Sequence, residues 1–127
     1  MNNFPRIPGY EIVAEIGSGS MGKVYLARQL SMDREVAVKV LSEELARDRK
    51  FTRRFLEEAR AMGRLRHQNL VSALDAGCAD GVYYFVMDYV EGETLDRVLA
   101  RRGRIPPQEA FRISAQIAAG LEYAHAK

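Results

Sequence analysis

"EIGSGSMGKVYLA", residues Glu15–Ala27, sets Gly17, Gly19 and Gly22 at i, i+2 and i+5 between two apolar runs. Glycines at such spacing let backbone N–H groups approach a phosphate, because no Cβ holds the chain away from it. The flanks decide which fold carries the loop. Upstream, Tyr10–Ile16 alternates like a strand, and Ile12, Ala14 and Ile16 are expected on one face. Downstream, Lys23–Arg28 alternates too, with Val24 and Leu26 sharing a face. A glycine loop between two strands is a hairpin. A dinucleotide fingerprint needs strand, loop and helix, with an acid roughly 20 positions on. Glu43 has that spacing, but "KVYLARQL" is too rich in β-branched and aromatic residues to read as the helix. A Walker loop is excluded, because no Gly-Lys-Ser/Thr closes the run. The glycines alone leave a ligand-free structural turn and a phosphate site both open.

Further along, "VAVKVL" (Val36–Leu41) reads as a third strand, with Val36, Val38 and Val40 on one side and Ala37, Lys39 and Leu41 on the other. A lysine among valines either snorkels at a sheet edge or answers an anion. A helix follows from about Arg49 to Leu65. Its apolar stripe is Phe51, Phe55, Ala59, Met62 and Leu65, and Glu58 falls at stripe spacing whereas Glu57 points away. A carboxylate on a buried face needs a cation, and Lys39 is the candidate; the alternative is a solvated Glu58 at the stripe's edge. "LVSALDAG" and "VYYFVMDYV" read as two more strands joined by an Asp80-Gly81 hairpin turn. Thr94 caps a short helix carrying Leu95, Val98 and Leu99 that ends near Gly103, and Pro106 and Pro107 open a longer one running to about His125. The fold class is therefore α+β: a five-stranded, mostly antiparallel sheet, one helix after its third strand, and two helices at the end.

Bulk properties set the frame. The 127 residues suit one domain of ordinary composition, with 47% apolar and 28% charged residues. A formal net charge of +2 and the lack of an aromatic-interleaved basic stripe argue against nucleic acid as a partner. The densest basic cluster is taken as Arg97, Arg101, Arg102 and Arg104, read as a solvated helix end. The lone Cys78 rules out an internal disulfide framework and reads as a small buried hydrophobe in a reducing compartment. No apolar run approaches membrane-spanning length and "MNNFPRIPGY" has no signal-peptide core, so the expectation is a cytoplasmic chain with no membrane segment.

Taken together, these motifs resemble the N-terminal lobe of a eukaryotic-type protein kinase, and most closely the bacterial Hanks-type Ser/Thr kinases. "GSGSMGKV" matches the G-x-G-x-x-G-x-V loop, "VAVK" the V-A-I-K strand, and "RRFLEEARAM" the αC helix with Glu58 at its ion-pair position. "RHQNLV" is similar to the stretch entering the fourth strand, with Gln68 in place of the usual proline, and "YYFVMDYVEGETLDRVL" resembles the fifth strand, the hinge and the next helix. The resemblance implies an N-terminal extension over 1–9, a nucleotide-binding N-lobe and hinge over 10–90, and the start of a C-lobe over 91–127. It implies that the backbone of Ser18, Gly19, Ser20, Met21 and Gly22, with Gly17 opening the loop, covers the phosphates of ATP. Lys39 would hold the α- and β-phosphates and Glu58 would fix Lys39, a pair that doubles as a conformational switch. Ile16, Val24 and Ala37 would sandwich adenine, with Met87 as gatekeeper and the Asp88 carbonyl and Val90 N–H on its edge.

The same resemblance marks what these residues omit. Neither H-R-D-x-x-x-x-N nor D-F-G occurs, and "LEYAHAK" resembles the end of the helix leading into the catalytic loop. The expectation is an ATP-binding portion of a Ser/Thr kinase that does not transfer phosphate alone, with its Mg²⁺ ligands and protein substrate belonging to a longer parent. The alternative is a pseudokinase-like interaction module. The last helix sets Ala110, Ile113, Ile117, Leu121 and Ala124 on one stripe. Lacking a partner for it, the chain is expected to dimerise through this helix, exchange it between copies, or leave it partly disordered.

Overall fold

A computed structural model describes residues 3–127. In chain order the elements are β1 (Tyr10–Gly19), β2 (Gly22–Gln29), β3 (Arg34–Leu41), a 3₁₀ turn (Leu45–Arg47), α1 (Arg49–Gly63), β4 (Ala73–Ala79), β5 (Val82–Asp88), α2 (Leu95–Arg102) and α3 (Pro107–His125). The five strands form one sheet in the order β1-β2-β3-β5-β4, antiparallel at every pairing. Asp80 (φ +50°) and Gly81 (φ +78°) make the β4–β5 turn with two left-handed residues, the geometry that matches the twist of the strands it joins. The 3₁₀ turn went unread in the sequence; the Ser42 hydroxyl accepts from the Leu45 N–H (3.3 Å) and its carbonyl from the Ala46 N–H (2.9 Å).

The backbone divides into two compact units: residues up to Arg64 with Ser72–Tyr89, and Leu65–Val71 with Val90–Lys127. In the first, each face of the sheet carries its own core. Ile7, Ala27, Val36, Val38 and Val86 fill one, flanked by Tyr10, Ile12, Val40 and Tyr84. The N-terminal residues belong to this face, since Ile7 is 3% exposed and Phe4 meets the Tyr25 ring edge-on at 5.5 Å. Leu41, Phe55, Ala59 and Phe85 fill the other, where α1 packs and the Phe55 and Phe85 rings lie 5.0 Å apart.

Two expectations are corrected here. Ile12, Ala14 and Ile16 do not share a face: the ladder to β2 shifts between Ile12 and Ala14 and again between Glu15 and Gly17. Each bulge inserts one residue and inverts the alternation, so Ile12 lies opposite Ala27 while Ala14 lies opposite Leu26. Cys78 is exposed rather than buried, because β4 is an edge strand and Cys78 sits beside its turn.

In the second unit, Thr94 caps α2 by accepting from the Arg97 N–H (3.2 Å), and Gly103 (φ +76°) ends it. α3 packs on the 65–71 segment at Gly120, where a Cβ would come within 3.3 Å of the Asn69 carbonyl and the Leu70 side chain. The Asn69 side-chain amide donates to the Gln116 carbonyl (2.9 Å), and the Tyr123 hydroxyl accepts from the Arg66 N–H (3.0 Å). Of the predicted stripe, Ile117 and Leu121 are about half exposed, and their neighbour Phe111 is 76% exposed. No helix among the described residues is long and apolar enough to cross a membrane.

Candidate functional site

The strand ladders assemble the predicted residues of the first unit into rows on the α1 side of the sheet. Gly17 lies opposite Val24, Val24 opposite Lys39 and Lys39 opposite Phe85. In the next row Leu26 faces Ala37, and Ala37 faces Met87. Ile16 occupies the second bulge of β1 and stays 43% exposed. Asp88 ends β5, where its carboxylate accepts from the Ser72 N–H (3.0 Å) and its own N–H donates to the Ser72 carbonyl (3.1 Å). Val90, 68% exposed, begins the second unit.

The three loop glycines have different causes. A Cβ on Gly22 would lie 1.9 Å from the Val40 carbonyl oxygen, and its φ of +153° is strained for any other residue, so the chain itself requires glycine there. A Cβ on Gly19 would meet nothing within 4 Å, and one on Gly17 would make only ordinary contact with Val24 (3.6 Å). Neither has a positive φ. Among the described residues, nothing demands glycine at 17 or 19.

Lys39 and Glu58 are not joined. Glu58 is exposed, and no ion pair between them lies within 4 Å among the described residues. The buried positions of α1 are Thr52, Phe55 and Ala59, so its contact line leaves Glu58 on the solvated flank. The Lys39 ammonium instead lies 5.7 Å from the Phe85 ring centroid, within range of the attraction between a cation and an aromatic face. Among the described residues this half-buried lysine has no carboxylate within 4 Å.

A cavity of about 530 Å³ touches the loop at Ser18, Gly19 and Gly22, and its further lining includes Lys23, Tyr25, Val40, Ser42, Glu43 and Val82. None of Val24, Ala37, Lys39 or Met87 lines it, so it is not the site the sequence points to. Among the described residues no group of three or more His, Cys, Asp or Glu side chains could hold a metal ion.

Comparison with known proteins shows the family. The family described as "Protein kinase domain" matches residues 10–127. The serine/threonine-protein kinase PrkC of Bacillus subtilis is 46% identical over 121 residues, covering 94% of this chain and 19% of that kinase. The serine/threonine-protein kinase PknB of Mycobacterium leprae is 40% identical over 120 residues, covering 91% and 19%. The crystal structure of the Mycobacterium tuberculosis PknI kinase domain superposes with a TM-score of 0.82 at 34% identity, over 99% of this chain and 52% of that one. The chain thus spans about a fifth of the curated relatives and about half of the solved kinase domain. With its antiparallel sheet, α1 and the two following helices, the chain belongs to the protein kinase domain family, in its bacterial serine/threonine branch.

Proposed function

We propose that this chain is the ATP-binding part of a serine/threonine protein kinase. The observation that carries this is a half-buried, carboxylate-free Lys39 on the strand beside a loop whose Gly17 and Gly19 have no steric cause within the chain. Bound ATP supplies a transferable γ-phosphoryl group. The residues present fit its non-reacting parts: the N–H groups of Ser18–Gly22 face the phosphates, Lys39 neutralises and orients the α- and β-phosphates, and Val24 and Ala37 with Ile16 clasp adenine. Met87 bounds the pocket, and the Asp88 carbonyl and Val90 N–H address the adenine edge. Residues 10–90 then act as the nucleotide-binding lobe and hinge and 91–127 as the start of the other lobe. The metal-binding group belongs outside these residues, and so does the base that accepts the substrate proton. This chain alone therefore binds ATP without transferring phosphate to protein.

Titration with ATP and with NAD, each with and without Mg²⁺, tests the binding. Saturable ATP binding with no NAD binding is expected, and preference for NAD would overturn it. Lys39→Met should weaken ATP binding by about tenfold, the scale of one charge-assisted contact, yet abolish activity in a longer parent that carries the remaining motifs. Unchanged activity there removes the role given to Lys39. The exposure of Glu58 favours a second reading, a pseudokinase-like binding module, in which Glu58→Gln leaves ATP binding unchanged and a longer parent transfers no phosphate.

The exposed Phe111, Ile117 and Leu121 support self-association of the isolated chain through α3. Sedimentation should show a concentration-dependent dimer that Ile117→Glu with Leu121→Glu dissolves. A monomer with a fully protected α3 would sink this.

A further inference from the structure

"FPRIPG", residues Phe4–Gly9, belongs to none of the nucleotide motifs, yet it is tied to the sheet along its whole length. Ile7 is 3% exposed within the core of the face turned away from α1. The Tyr10 N–H donates to the Ile7 carbonyl (3.1 Å) and the Leu30 N–H to the Gly9 carbonyl (2.9 Å). The Phe4 ring meets the Tyr25 ring edge-on at 5.5 Å. Local chemistry favours this course. Phe4 precedes Pro5 and Ile7 precedes Pro8, which biases both to extended backbone, and each proline fixes its own φ. Gly9, at φ +87°, turns the chain into β1. A segment restricted in this way has less freedom to lose when it docks.

Tyr25 connects the segment to the glycine loop. It is 6% exposed and lies opposite Glu15 on β1 and Val38 on β3, so it is a fixed point of the hairpin that carries Gly17, Gly19 and Gly22. The cavity of about 530 Å³ lies between segment and loop: Asn3 and Pro5 line it, Ser18, Gly19 and Gly22 line it, and Tyr25 is shared wall. A cavity beside a loop is room for the loop to move into. Glycines widen that freedom, and a loop that holds its binding geometry for only part of the time loses affinity by that fraction. Met21 packs against the core on the α1 side. The N-terminal segment faces the loop from the other side.

We propose that Phe4–Pro8 is a strap that positions the glycine loop, with Phe4 acting through Tyr25 as a positioning residue that touches no nucleotide. Its effect on ATP rests on the nucleotide-binding reading above; its effect on the loop rests on the fold alone.

Hydrogen–deuterium exchange of the 127-residue chain without nucleotide, read at peptides covering the loop and α2, tests the strap beside an ATP titration. Phe4→Ala should speed exchange over Ser18–Lys23 and weaken ATP binding, each by about threefold or more, the scale of one lost aromatic pair, with α2 unchanged. Phe4→Leu keeps apolar bulk without the ring edge and should lie between; it decides the matter if Phe4→Ala does not fold. Val36→Ala removes volume from the same core at the end farther from the loop and serves as the control. It should lower the thermal melt at least as much as Phe4→Ala yet leave loop exchange at the wild-type rate. The proposal is overturned if folded Phe4 variants match the wild type in loop exchange, or if Val36→Ala speeds the loop equally. Absence of ATP binding by the wild-type chain would overturn the nucleotide reading instead, and loop exchange would still decide the strap.

Discussion

A Cβ at position 22 would collide with the Val40 carbonyl at 1.9 Å, while one at position 19 would meet open space. Gly22→Ala should therefore cost about 1–3 kcal/mol or more from backbone strain, whether or not nucleotide is present. Gly19→Ala should leave stability within about 0.5 kcal/mol and weaken ATP binding. Denaturant unfolding beside ATP titration separates the two effects; equal loss of stability in both variants would refute the distinction. The glycine spacing was readable in the sequence, but the division of labour was not, because it depends on a carbonyl of β3. Glu58 shows the same limit. Helical spacing placed it near the apolar stripe, yet spacing cannot locate the centre of a stripe, and the burial of Thr52, Phe55 and Ala59 moves that centre away from it.

At the scale of elements, local signals carried far. The Asp80-Gly81 turn, the Thr94 cap and the proline start of α3 each act within a few residues, and each stands where the sequence set it. The junction of α2 and α3 adds a contact that spacing alone did not announce: Arg102 grips both oxygens of Glu109, at 2.8 and 3.0 Å. The hydrogen bond from Arg102 holds the Glu109 carboxyl below its ordinary value of 4.5. A carboxylate depressed in the folded state stabilises it above the unfolded value and loses that contribution as acid protonates it. The helical signal of the second unit should hence weaken as pH falls below about 4.5, and Glu109→Gln should remove that acid dependence. Circular dichroism across this range checks both.

In the first unit as a whole, the two edges of the sheet meet through side chains. The Tyr10 hydroxyl on β1 donates to Asp75 on β4 (3.0 Å) and accepts from the Gln29 amide (3.3 Å), and the Tyr10 and Tyr84 rings lie 6.4 Å apart. Burial raises both phenols above the ordinary 10.0, with Asp75 adding to it. A tyrosine raised in the folded state stabilises below its unfolded value, and that contribution disappears as pH rises through the folded one. Tyr10→Phe should cost about 1 kcal/mol near neutrality, the scale of one hydrogen bond. It should also remove one late phenol from an alkaline ultraviolet titration. Full retention of both late phenols in that variant would refute the assignment.

The sequence by itself determined the α+β class, the hairpin around the glycine loop, the helix ends and the kinase resemblance, because periodicity, turns and caps are settled by neighbours within a strand or a helical turn. Only the tertiary structure decided that β5 lies beside β3, that two bulges break the alternation of β1, that Lys39 rests near Phe85 while Glu58 faces water, and that Tyr10 reaches Asp75. Those outcomes depend on contacts closed over long loops, where twist, bulges and side-chain volume choose the partner and no local pattern records it.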